Sequence, residues 1–156
     1  MAQTAVKLRP YRNDEQDAAF ALWQRAWQLA YPQIDFAKRV DWFREHWSNL
    51  LLDCKVIVAE YSDDDQRLAG FVVVSPRTGY LDQIVVAPEA QRLGVGKALI
   101  GAAKQIGSAG LYLHVNKDNT RALAFYQTSG FTIAGEDVNR RSGAPVYMMT
   151  WRPASA

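Results

Sequence analysis

Apolar positions along the chain follow two rhythms, a period near 3.6 that marks amphipathic helices and short β-branched runs that mark strands. Val6 to Arg12 predicts a first strand, and Asn13 with Gln16 three residues later predicts a capping box that opens a helix. In that helix Ala19, Phe20, Trp23, Ala26, Trp27 and Ala30 recur at three- and four-residue steps, so one face is buried until Pro32 ends it. Asp35 is placed to cap a second helix, which carries Phe36, Val40, Phe43 and Trp47 on one stripe.

Lys55 to Tyr61 and Arg67 to Ser75 are rich in β-branched residues and flank the acidic turn Ser62 to Gln66, the pattern of an antiparallel hairpin. After the turn Pro76 to Gly79, a third strand of the meander runs over Tyr80 to Ala87 and stops at Pro88. From Gly94 to about Ala109, Val95, Ala98, Leu99, Ala102, Ala103 and Ile106 mark the clearest helix; Gly107 and Gly110 end it before the strand Leu111 to Val115. Asp118 or Asn119 caps a further helix ending at Ser129, with Gly130 and Phe131 spaced for a Schellman ending. Strands at 131–137 and 145–152, separated by a polar turn, complete the order β-α-α-β-β-β-α-β-α-β-β. That order predicts an α+β fold around a largely antiparallel sheet.

The length of 156 residues, with 49% hydrophobic and 22% charged, fits one globular domain spanning 1–156 and excludes a disordered or repeat chain. No apolar run approaches the roughly 20 residues of a membrane span, and Met1 to Pro10 lacks the apolar core of a secretory signal, so a cytoplasmic protein is expected. A lone Cys54 and two histidines predict neither a disulfide nor a metal site; Cys54, beside a strand, reads as a small buried residue rather than a nucleophile. A net charge of +2 does not point to nucleic acid, but the distribution is uneven. Residues 1–89 hold 10 Lys/Arg against 13 Asp/Glu, and residues 90–156 hold 8 against 3. No acidic residue lies between Glu89 and Asp118, a stretch that contains Arg92, Lys97, Lys104 and Lys117 and so favours an anionic ligand.

The segment Ile84 to Lys97, IVVAPEAQRLGVGK, runs from a strand through Gln91-Arg92-Leu93-Gly94-Val95-Gly96 into a helix. Glycines there let backbone amides approach a ligand closely, and the exposed N–H groups of a helix start favour phosphate. The spacing fits neither a Walker loop, since Lys97 is followed by Ala98, nor a Rossmann fingerprint, since Leu99 stands where a third small residue is needed. It fits Q/R-x-x-G-x-G. With Val86 and Pro88 before it, the strand LYLHV after it, and Asn119-Thr-Arg-Ala-Leu-Ala-Phe-Tyr-Gln-Thr-Ser-Gly-Phe131 beyond, the chain resembles the GNAT superfamily of acyl-CoA-dependent N-acetyltransferases. The resemblance covers residues 80–131 closely and the remainder loosely.

The resemblance implies a three-layer α/β/α fold whose mixed, largely antiparallel sheet splays between strands 80–87 and 111–115 to admit the pantetheine arm of acetyl-CoA, the acetyl donor. Backbone groups of Ile84, Val85 and Val86 would pair with that arm, and amides of Arg92, Leu93, Gly94, Val95, Gly96 and Lys97, with Gln91 heading the motif, would hold the pyrophosphate. Asn119 would contact the cofactor or cap its helix, and Phe125 would pack against the cofactor or within the core. Tyr126, at the family's tyrosine position, would hydrogen-bond the leaving thiolate. The oxyanion would be held by a backbone N–H near Val85 or Val86.

Acetyl transfer to an amine also requires a neutral nucleophile. His114, which stands where several members place a glutamate, and Asp82, the one acidic residue of its strand, are the candidate bases beside a water chain. Trp23, Trp27, Trp42 and Trp47 lie in the first two helices, whose connection forms one wall of the acceptor site in this superfamily; Trp27 and Tyr31 are the expected acceptor contacts. The turn Val138 to Ala144, with Arg140 and Arg141, could supply the opposite wall. The implied reaction is attack by a primary amine of a small molecule or peptide in a ternary complex. A non-catalytic acyl-CoA sensor and a nucleotide-binding module are the rival readings. A homodimer joined through a strand edge near 145–152 is also expected.

Overall fold

The structure, a computed structural model, describes residues 5–154. Strand β1 (Val6–Pro10) leads through a 3-10 turn (Asn13–Glu15) into α1 (Gln16–Ala30), and a second 3-10 turn (Phe36–Arg39) leads into α2 (Val40–Leu50). A meander of β2 (Lys55–Tyr61), β3 (Asp64–Val74) and β4 (Leu81–Val86) follows. After a 3-10 segment (Pro88–Leu93) come α3 (Val95–Ile106), β5 (Leu111–Asn116), α4 (Thr120–Thr128), β6 (Thr132–Val138) and β7 (Pro145–Trp151).

Local chemistry explains where these elements begin and end. Asp35 caps its helical segment as expected, its Oδ1 accepting from the Ala37 N–H at 3.1 Å. Ahead of α1 the cap sits one residue earlier than the expected Asn13/Gln16 pair: Glu15 Oε1 accepts from the Arg12 N–H at 2.9 Å. Glu15 takes this role because Arg9 of β1 grips its carboxylate with two charge-assisted hydrogen bonds, at 2.8 and 2.6 Å. The Schellman ending of α4 forms as spaced, with Phe131 N–H to Tyr126 O at 3.0 Å, Gly130 N–H to Gln127 O at 3.1 Å, and Gly130 at φ 98°. The hairpin turn is shorter than Ser62 to Gln66, because the β2–β3 ladder continues past irregularities at Glu60 and Tyr61 to pair Tyr61 with Asp64.

The strands form two antiparallel sheets, β1-β2-β3-β4 and β5-β7-β6. They join where Tyr80 makes a parallel bridge with Tyr112 and the Tyr112 N–H donates to the Gly79 carbonyl at 3.0 Å. Past that point β4 and β5 run side by side without pairing, which is the expected splay. β7 lies between β5 and β6, so the strand near 145–152 offers no free edge; the outer edge belongs to β6, whose residues are nearly all exposed. β7 takes the inner place because Val146 and Met149 are buried while β6 carries no buried side chain.

Three layers follow from the alternation of β3. Phe71 meets Trp47 of α2 edge-on at 5.4 Å, and Trp23 of α1 stacks on Phe43 of α2 at 4.2 Å, so α1 and α2 cover one face. Adjacent Gly70 turns to the other face, where an added Cβ would strike Leu99 and Val95 of α3. α4 lies beside α3, tied by Lys104 Nζ donating to the Ser129 carbonyl at 2.6 Å.

Candidate active site

A bulge sets the geometry of β4. Val73 pairs with Gln83 and Val74 with Leu81, leaving Asp82 as the extra residue. The bulge aims two successive side chains at the α1/α2 face, and Gln83 Nε2 donates to Asp82 Oδ1 at 3.0 Å. The same oxygen lies 2.8 Å from His46 Nε2, brought in by α2. His46 stacks on Trp42, one turn earlier, with ring centroids 4.9 Å apart and planes 11° off parallel. From the β6–β7 turn, the Arg141 guanidinium covers Trp42 at 3.8 Å. The structure therefore brings Asp82 and the turn carrying Arg141 to one wall.

Across the splay, Tyr112, His114 and Asn116 alternate with the buried Leu111, Leu113 and Val115. His114 is exposed, and its Nδ1 lies 2.9 Å from the Tyr80 hydroxyl. Burial, with the Asp82 charge second, pushes the Tyr80 phenol up to about 12. At the far end Tyr31 donates to Asp118 Oδ1 at 2.8 Å and accepts from Asn116 Nδ2 at 3.0 Å, so its hydroxyl is already engaged. Trp27 stacks on the Tyr31 ring at 5.9 Å and remains partly exposed. Of the other early tryptophans, Trp23 and Trp47 are core, while Trp42 belongs to the site.

Tyr126 is buried between Phe125 and Phe131, whose rings meet it edge-on at 5.4 and 5.7 Å. Burial, reinforced by the nearby Tyr80 phenol, holds its hydroxyl well above the ordinary tyrosine range, so it stays protonated and available as a donor. Cys54 is different: burial and the charges of Asp53 and Asp82 push its thiol up to about 11, which disfavours the thiolate a nucleophile needs.

Gly94 adopts φ 76° and caps α3, and an added Cβ there would meet nothing within 4 Å, so the loop is open on that side. The first α3 hydrogen bond from this cap is Ala98 N–H to the Gly94 carbonyl at 3.0 Å, which leaves the N–H groups of Val95, Gly96 and Lys97 without helical acceptors. An added Cβ on Gly96 would lie 3.1 Å from the Phe125 ring, so the glycine lets α4 close against the loop. Arg92 and Lys97 form no salt bridge among the described residues, and Arg121 of α4 donates to Gln91 Oε1. Asn119 Oδ1 caps α4, accepting from Ala122 N–H at 3.2 Å. Unsatisfied amides, an open glycine and uncommitted cations suit a pyrophosphate, while the unpaired edge of β4 suits an extended arm.

Residues 16–131 match the family described as Acetyltransferase (GNAT) family. The chain belongs to the GNAT acetyltransferase family. Among its GNAT relatives, the peptidyl-lysine N-acetyltransferase YjaB of Salmonella typhimurium is 26% identical over 92% of this chain and 95% of its own. The peptidyl-lysine N-acetyltransferase YiaC of Escherichia coli is 35% identical over 57% of this chain and 60% of its own. Among solved GNAT structures, PaiA N-acetyltransferase from Thermoplasma acidophilum in complex with coenzyme A superposes with a TM-score of 0.77 at 19% identity, covering 96% of this chain and 99% of that one. Acetyl-CoA is the donor, and the GNAT chain transfers its acetyl group to an amine.

Sequence reasoning missed two residues of this GNAT site. His46 shares a helix stripe with Trp42 at i, i+4, a spacing visible in the sequence, but nothing local to α2 points to the β4 bulge. Arg121 lies inside the motif run, yet its contact with Gln91 spans two elements.

Proposed function

We propose that the chain acetylates a primary amine carried on a slender arm, with the lysine side chain of a peptide as the favoured acceptor, by direct attack in a ternary complex. The observation that carries this reading is the bulge at Asp82. It aims a carboxylate at the α1/α2 face, one oxygen of which is held by His46 and Gln83 while the other stays available to an ammonium group. The Asp82 side chain is only 14% exposed, which suits a narrow amine better than a bulky one. Trp27 and Trp42 offer apolar surface along the approach, and the lysine activity of the two relatives above supports the choice.

Acetyl-CoA, when bound, supplies the thioester carbonyl that the amine attacks. Ile84, Val85 and Val86 offer their unpaired edge to the pantetheine arm, and an N–H near Val85 or Val86 serves the oxyanion. Gln91 through Lys97, with Arg121 behind them, hold the pyrophosphate. Asn119 and Phe125 flank this loop. Tyr126 donates to the sulfur as it leaves, and His114 with Tyr80 borders the acceptor side. The expected cytoplasmic location belongs to this reading, as does a homodimer, for which the free edge of β6 is the surface on offer and sedimentation is the check.

The test is a thermal melt with acetyl-CoA, CoA, ATP and NAD, followed by thiol release with a lysine peptide. At 100 times its dissociation constant a ligand stabilises the fold by about 2.7 kcal/mol, roughly 5–10 °C for a domain of this size. Acetyl-CoA and CoA are expected to raise the melt, and the peptide to release thiol. A rise without thiol release from any amine would leave the sensor reading in its place.

A further inference from the structure

The geometry points to His46 as the group that takes the proton from the attacking amine, oriented for that task by Asp82. This rests on the acceptor reading above. An ionised carboxylate can only accept hydrogen bonds, so the 2.8 Å contact requires His46 Nε2 to carry the hydrogen, and in the neutral ring that leaves Nδ1 as the lone pair. The ring is held by Asp82 from β4 and by Trp42 stacked from its own helix, and each of these is braced in turn, Asp82 by Gln83 and Trp42 by Arg141 of the β6–β7 turn. The Tyr80 phenol and Cys54 thiol also feel the Asp82 charge.

His46 is not placed there to fill the core. The core stripe of α2 is Phe43, Trp47 and Leu50, all buried, whereas the His46 side chain is 28% exposed. The alternatives are weaker. Asp82 Oδ1 already takes two donors, and a carboxylate of ordinary pKa about 4 is a poor base toward an amine, while an imidazole of ordinary pKa about 6.5 suits neutral pH. On His114 the corresponding Nδ1 is engaged with Tyr80.

In the step itself the neutral amine forms a C–N bond to the acetyl carbon, and one N–H proton passes to His46 Nδ1. The C–S bond breaks with its electron pair going to sulfur, and the thiolate accepts a hydrogen bond from the Tyr126 hydroxyl, which keeps its proton. The imidazolium releases its proton to solvent through the exposed ring edge, and the departing thiolate takes one up from solvent, so the exchange balances.

Thiol release from acetyl-CoA with a lysine peptide tests this in wild type, His46→Ala and His46→Gln. Glutamine keeps an amide donor for Asp82, so His46→Gln is expected to melt near wild type and yet lose about 100-fold in kcat with acetyl-CoA KM little changed. Free imidazole is expected to restore part of the rate to His46→Ala and none to His46→Gln, whose side chain fills the site. In ligand-free wild type at pH 8, long-range 1H–15N spectra are expected to place the single His46 ring proton on Nε2. A proton on Nδ1, or His46→Gln turnover within about threefold of wild type, overturns the assignment alone. Wild type that binds acetyl-CoA but acetylates no amine overturns the acceptor reading and takes this inference with it.

Discussion

A phenol buried among aromatic rings is a poor place for a negative charge, and Tyr126 occupies such a place, with Phe125 and Phe131 against it and its titration driven well upward. The same burial that disfavours tyrosinate keeps the hydroxyl hydrogen present at every physiological pH, so the role proposed for Tyr126 is a hydrogen bond donated to sulfur rather than transfer of its proton. Tyr126→Phe removes the donor and keeps the ring. Turnover is expected to fall by about 10²-fold or more, with the acetyl-CoA melt shift unchanged, since only an interaction formed as the thiolate develops has been lost. Stopped assays beside melts with saturating acetyl-CoA separate the two effects; an equal loss of both would make Tyr126 a packing residue.

At the scale of elements, the entry to α1 is bolted to the first sheet. Arg9 of β1 holds Glu15 ahead of α1 and Glu60 of β2, the latter through Nε at 2.6 Å, with all three side chains at or below 10% exposure. The hydrogen bonds from Arg9 hold the Glu15 carboxyl below the ordinary glutamate range. A folded-state pKa below the unfolded value adds stability above the unfolded value, and that stability is lost as pH falls through the folded one. Glu15→Gln is expected to lower the melt at pH 7 by several degrees, about 1.5–3 kcal/mol for a charged hydrogen bond. The wild-type and variant curves are expected to converge in acid below about pH 4, and melts across pH 3–8 check the sign.

This anchor also shows what the sequence could reveal at that scale. Asn13 and Gln16 satisfy the local capping pattern, but Arg9, six residues before Glu15, decides which side chain does the capping. Where a signal is local, as in the Schellman ending at Gly130 and Phe131 or the helix start at Gly94, sequence and structure agree. Where it depends on a partner far along the chain, as in His46 with Asp82 thirty-six residues away, neither residue announces the other. The placement of β7 inside its sheet was hidden for the same reason, since strand order is not written in alternation.

For the whole molecule the decisive feature is that two sheets meet at one end and part at the other, so the cleft exists only while the joint holds. The joint is narrow: a Tyr80–Tyr112 bridge and one hydrogen bond from Tyr112 to the Gly79 carbonyl. Gly79 sits at φ 79°, and an added Cβ would lie 2.3 Å from the Gly110 carbonyl oxygen, a backbone atom that cannot turn aside. Gly79→Ala is therefore expected to push the two halves apart at the point that sets the angle of the splay. The left-handed backbone and the clash together are expected to cost about 3 kcal/mol or more, a drop of roughly 6–12 °C in the melt. Because β4 and β5 would no longer diverge from a fixed point, acetyl-CoA affinity is expected to fall as well, although Gly79 lies outside the glycine loop. Titration calorimetry with acetyl-CoA at a temperature where the variant remains folded separates the two effects. A variant that is destabilised but binds with wild-type affinity would show that the sheets hold their angle through α1 and α3 rather than through the joint.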